Sequence, residues 1–85
     1  MVWAVRFTAA AEKQLSKLDP PAQRRIINFL NDIAQGKPRD SGKALRGDEH
    51  AWRYRVGDYR IVCDLVDRDL VVYVIRIGHR SKVYR

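Results

Sequence analysis

The chain lacks most of what would point to disulfide, metal or membrane chemistry. Its 85 residues hold a single cysteine, Cys63, so no intramolecular disulfide can form, and no Cys/His cluster has zinc-ligand spacing. Cys63 sits mid-strand among apolar neighbours and reads as a small buried hydrophobe. No apolar run approaches a membrane span, and Met1 to Phe7 is too short for a signal-peptide core, which predicts a cytoplasmic protein with no membrane partner. Repeats and low-complexity segments are absent. No Ser-His-Asp or Cys-His arrangement can be argued. Asp58, Asp64, Asp67 and Asp69 fall at turns or on strands, and Asp67 and Asp69 flank a hairpin turn, which accounts for both. Nothing gathers carboxylates beside the cations, so no metal or other cofactor is expected.

Acidic residues are also scarce. Ten stand against 17 basic ones, for a net charge of +7 and a pI near 10.1. That balance favours a polyanionic partner, or an acidic protein that masks a basic patch. Twelve of the 17 cations are arginine. Lysine suffices for solubility, whereas arginine suits bidentate phosphate contact and stacking on bases.

An apolar fraction of 46% is ordinary for a globular chain, and 85 residues make one domain, residues 1–85, with a modest core. Val2 to Phe7 reads as a first strand. Thr8 is placed to N-cap a helix through Leu18, whose Ala11, Leu15 and Leu18 form one apolar stripe. Asp19 followed by Pro20 starts a second helix, with Ile26, Ile27, Leu30, Ile33 and Ala34 on its buried face, and Gly36 and Pro38 stop it. Residues 36–51 read as a long polar loop carrying Lys37, Arg39, Lys43 and Arg46; long loops in small domains are often functional. Three strands follow, Trp52 to Val56, Tyr59 to Val66 and Leu70 to Ile77, with Gly78 ending the sheet. The order β-α-α-β-β-β predicts an α+β fold, a helical hairpin packed on a mainly antiparallel four-stranded sheet.

Trp52-Arg53-Tyr54-Arg55-Val56-Gly57-Asp58-Tyr59-Arg60-Ile61-Val62 carries the most information. Its period-two alternation marks half-buried strands, and Gly57-Asp58 suits a two-residue turn. Val56 then faces Tyr59, Arg55 lies opposite Arg60, and Arg53 faces Val62 on the same side. If Trp52, Tyr54 and Val56 pack on the helices, the three arginines point away from them. Like charges across a ladder destabilise it by a few tenths up to about 1 kcal/mol. A bound anion relieves that, and nucleic-acid backbone is the densest anion available. Val62 would provide an apolar floor for a base while phosphate meets the arginines. The alternative is charge that blunts an exposed strand edge, a task usually left to a single lysine.

If such a patch cleaves nucleic acid without metal, the substrate is RNA. Its 2′-hydroxyl already sits beside the phosphate it attacks, and guanidiniums can stabilise the dianionic pentacovalent transition state. The tail offers Arg80, the phenol of Tyr84, and His79, an imidazole of the kind that most often serves as general acid or base. His79 precedes Arg80, and adjacent residues of an extended tail point opposite ways.

These residues resemble the RelE superfamily of bacterial toxin–antitoxin systems. The resemblance spans essentially the whole chain and is most specific at Lys43-Ala44-Leu45-Arg46-Gly47, at Trp52 to Arg60, and at Gly78-His79-Arg80 with Val83-Tyr84. It implies a ribosome-dependent mRNA endonuclease that enters the 30S A site, beside mRNA and 16S rRNA, and cuts by 2′-hydroxyl attack. It places the family's catalytic positions on Arg55, Arg60, Arg80 and Tyr84, and RNA contacts on Arg53, Lys43, Arg46 and His79. Well-known relatives carry lysines where this chain has Arg53 and Arg55. Arginine does not deprotonate readily, so Arg55 is expected to orient the 2′-hydroxyl, with Tyr84, His79 or the ribosome handling the proton. Many relatives continue past the tail tyrosine into a further helix; with Arg85 last here, inhibition through such a helix is not expected. The implied partner is a cognate RelB-like antitoxin, a small acidic protein that folds over the basic face. Two alternatives remain: a ParE-like gyrase inhibitor, and an RNA-binding module without activity.

Overall fold

The computed structural model describes residues 2–45 and 48–79, apart from the side chains of residues 48 and 49; Arg46, Arg80 and Tyr84 lie outside the described residues. Strand β1 (Ala4–Phe7) leads into helix α1 (Ala9–Ser16), then helix α2 (Pro20–Gln35). A 3-10 turn at Pro38–Asp40 precedes β2 (Lys43–Leu45), β3 (Asp48–Val56), β4 (Tyr59–Val66) and β5 (Val71–His79). The sheet order is β1-β5-β4-β3-β2, with β1 parallel to β5 and the other pairs antiparallel.

The α+β class is as the sequence predicts. The strand count is not: among the described residues the sheet has five strands instead of four. Residues 36–51 are largely folded, since β2 and the start of β3 fall within them. Only three residues long and irregular between Ala44 and Leu45, β2 is too brief for periodicity to reveal. The last strand also runs further than expected, so Gly78 and His79 belong to it.

Local chemistry explains the helices. The Thr8 hydroxyl accepts from the Ala11 N–H at 3.0 Å, the predicted N-cap. Asp19 occupies the N-cap position of α2, but its side chain makes no capping bond; Pro20 occupies the first turn. The Gln23 side-chain amide donates to the carbonyls of Leu15, Ser16 and Leu18 at 3.1, 3.3 and 2.9 Å. One side chain thus satisfies the carbonyls left at the end of α1 and ties α2 to it.

Both helices cover one face of the sheet. Ala11, Ile26, Leu30 and Ile33 pack with Tyr54, Val56, Ile61, Cys63, Leu65, Val72, Val74 and Ile77 in a single core. Ile27, expected on the buried face of α2, is 40% exposed. At 3.6 residues per turn it lies 100° from Ile26, beyond the stripe that reaches the sheet.

Candidate nucleic-acid interface

The β3–β4 hairpin forms in the predicted register, with Val56 paired to Tyr59, Arg55 to Arg60 and Arg53 to Val62. Tyr54 and Val56 are buried on the helix side, and Trp52 packs partly against the core. Alternation then sends Arg53 and Arg55 to the opposite face, with Arg60 beside them. Gly57 turns the chain with φ +60. A Cβ there would meet only the tip of the flexible Arg25 side chain, so it is the positive φ of the turn that calls for glycine.

Strand β2 brings in a further cation. Lys43 pairs with Arg53, so both share the outer face. Gly42, Lys43, Arg53, Arg55 and Arg60 line one shallow hollow of about 330 Å³. Among the described residues no carboxylate lines it. Because β2 pairs with β3 as far as Arg53, the edge-protection alternative loses its premise at Arg53, while Arg55 lies beyond that pairing.

The rim of the hollow is held from the other side of the sheet. The buried Tyr54 hydroxyl donates to the Pro38 carbonyl at 2.7 Å, and the Trp52 indole N–H donates to the Ser41 carbonyl at 2.6 Å. Arg39 lies 5.6 Å from the centre of the Trp52 ring and pairs with Asp67. These contacts deliver Gly42 to a position where a Cβ would sit 2.3 Å from the Arg53 carbonyl oxygen; its φ is +72. Only glycine suits that crossing. Of the four cations placed on residues 36–51, Lys43 reaches the hollow, Arg39 serves the clasp and Lys37 lines a separate cleft beside α2.

His79 is not brought to the hollow. It pairs with Tyr59 on the helix side of the sheet, and the two rings meet edge-on at 5.2 Å. The buried titratable groups, Cys63 and Tyr54, face the helix side of the sheet and do not line the hollow. Burial, with a smaller push from Asp64, raises the Cys63 thiol to about 12, so it stays protonated at neutral pH and is not poised as a nucleophile. Burial also raises the Tyr54 phenol, reinforced by Cys63 and partly offset by Arg39, which keeps it a hydrogen-bond donor.

One outward arginine escaped the sequence reading. A bulge between Val62 and Cys63 shifts the β4–β5 register, so Val62 pairs with Arg76 and Cys63 with Val74, skipping Ile75. Ile75 and Arg76 are both exposed while Val74 and Ile77 are buried. Helix α1 supports the irregularity: the Thr8 hydroxyl donates to the Ile75 carbonyl at 2.9 Å, and the Gln14 side-chain oxygen accepts from the Ile77 N–H at 2.7 Å. A bulge re-aims the side chains beyond it. Arg76 thereby joins a transverse row, Lys43–Arg53–Val62–Arg76, on the outer face. No helix of the described residues is long and apolar enough to cross a membrane.

Residues 5–84 match the family described as the ParE toxin of the type II toxin–antitoxin system parDE. The chain is 31% identical over 86 residues to Toxin RelG of Mycobacterium tuberculosis, covering 100% of this chain and 99% of that one. It is 31% identical over 88 residues to the mRNA interferase toxin RelE of Escherichia coli, covering 99% and 92%. Its fold is similar to a chain in the toxin–antitoxin complex RelBE2 of Mycobacterium tuberculosis, with TM-score 0.83, 30% identity and coverage of 94% and 100%.

Proposed function

The chain belongs to the RelE/ParE toxin superfamily as a RelE-type toxin of a type II toxin–antitoxin system, and from that premise we propose that it is a ribosome-dependent mRNA endoribonuclease. The observation that carries this reading is the convergence of Arg53, Arg55, Arg60 and Lys43 on one hollow. Such a site suits a phosphodiester that gains charge as it reacts.

In the proposed reaction the 2′-hydroxyl oxygen attacks the adjacent phosphorus as its proton departs. The bond from phosphorus to the 5′-oxygen breaks, and that oxygen takes up a proton. The products are a 2′,3′-cyclic phosphate and a 5′-hydroxyl. Arg60 stabilises the dianionic phosphorane. Arg55, opposite it in the ladder, orients and polarises the 2′-hydroxyl; Arg53 and Lys43 hold the flanking backbone. By resemblance Arg80 and Tyr84 complete the catalytic set, Arg46 adds an RNA contact, and Tyr84 or the ribosome carries protons that arginine cannot. Beyond RNA, the partners are the 30S A site with its 16S rRNA and a RelB-like acidic antitoxin. The work is done in the cytoplasm, without a metal cofactor.

The family description names ParE, which favours gyrase as the one competing target. Purified protein is therefore added to programmed ribosomes, to free RNA and to a gyrase supercoiling reaction. Message cleavage only with ribosomes is the expected result; inhibited supercoiling without cleavage selects gyrase. Arg60→Ala lowers single-turnover cleavage by about 100-fold or more without lowering the unfolding midpoint. A folded Arg60→Ala protein with full activity would overturn the site.

A further inference from the structure

We propose that Tyr73 and Arg76 form a second nucleotide subsite beside the hollow, one that takes the base and phosphate of the nucleotide next to the cut. This rests on the RNA-cleaving reading and extends it across the sheet. Val62 pairs with Arg53 on one side and Arg76 on the other, so on the outer face one apolar residue separates Arg76 from an arginine of the hollow. Lys43 to Arg76 spans three strand spacings, roughly 14 Å. Two residues along β4 from Val62, Asp64 pairs with Tyr73 on the same outer face. Arg6 of β1 pairs with Tyr73 from the far side.

Tyr73 is 38% exposed, as is Ile75 in the bulge. An exposed tyrosine on an open sheet, next to guanidiniums, can stack a splayed-out base while an arginine meets its phosphate. The Asp64 carboxylate gives the subsite polarity. It repels phosphate from the ring and leaves that contact to Arg76, and it can accept from an exocyclic amino group of a stacked base. The bulge is what brings the pair together. Strict alternation from Val72 and Val74 would turn residue 76 toward the core; the skipped residue turns it outward instead.

The test measures single-turnover cleavage on programmed ribosomes as a function of protein concentration and salt. Tyr73→Ala is expected to raise the half-saturating concentration about tenfold, while Tyr73→Phe, which keeps the ring, stays near wild type. Arg76→Ala raises it several-fold and lowers the salt slope by about one. Both variants keep the wild-type unfolding midpoint and most of the maximal rate. The Tyr73→Ala effect disappears on a message lacking the base of one nucleotide flanking the cut, which a merely structural role would not produce. Wild-type behaviour of both Tyr73→Ala and Arg76→Ala overturns the subsite but leaves the cleavage reading standing. A Tyr73→Phe loss as large as that of Tyr73→Ala overturns stacking. A wild-type protein that cleaves no message on ribosomes removes both readings together.

Discussion

On the helix side of the sheet, Tyr54, Val56, Ile61, Cys63, Leu65, Val72, Val74 and Ile77 are nearly or fully shielded from water. On the other side the same strands present Arg53, Arg55, Arg60 and Arg76, with Lys43 from β2. Residues one position apart in sequence therefore do opposite work. Ile61 removes apolar surface from solvent; its neighbour Arg60 faces Arg55 directly, a like-charge pairing that opposes folding. The helix side drives folding through burial. The outer side gives up a little stability and gains a field that concentrates phosphate. The contrast shows that a face which opposes its own fold is a better guide to function than any single residue on it.

The contrast is broken most severely from the buried side. Ile61 is fully buried, and Ile61→Ala should lower the unfolding free energy by about 2–5 kcal/mol, read by urea titration. Cleavage should then fall only as far as the unfolded fraction requires. Gly42→Ala sits between the two regimes. Its new Cβ would meet the Arg53 carbonyl at 2.3 Å with φ at +72, so the backbone must shift, at a cost of about 1–3 kcal/mol. Since that shift moves Arg53, cleavage should fall well beyond what the unfolded fraction explains. A Gly42→Ala protein whose activity merely tracks its stability would show that the rim does not position the hollow.

The helix pair and the β3–β4 register were legible because each rests on short-range chemistry. Thr8 caps, Pro20 starts, Gly57 turns, and period-two alternation then dictates which side Arg55 and Arg60 share. What stayed hidden depends on partners remote in sequence. Strand β2 is defined by its pairing with β3 and not by its own three residues. Arg76 faces outward because of a register shift against β4, supported by Thr8 and Gln14 from the far end of the chain. In sequence, the break in alternation at Ile75-Arg76-Ile77 was the only local sign of it. His79 read as a tail residue because Gly78 looked like a terminator, whereas Gly78 pairs with Arg60 inside the sheet.

The smallest expected effect discriminates best, because its sign differs on the two faces. Replacing a buried side chain by a smaller one lowers stability and activity together. Arg55→Gln should separate them. It removes one of two guanidiniums directly opposed across the ladder, so the unfolding free energy should rise by roughly 0.2–1 kcal/mol at low salt. The gain should shrink as salt is added, since screening already weakens repulsion between exposed charges. Cleavage should fall in the same variant, because the group proposed to orient the 2′-hydroxyl is gone. Chemical unfolding at low and high salt, paired with ribosome cleavage, reads both quantities. A variant that is less stable than wild type at low salt would mean that Arg55 contributes to the fold, and the opposition between the two faces would not hold at the position where it is sharpest.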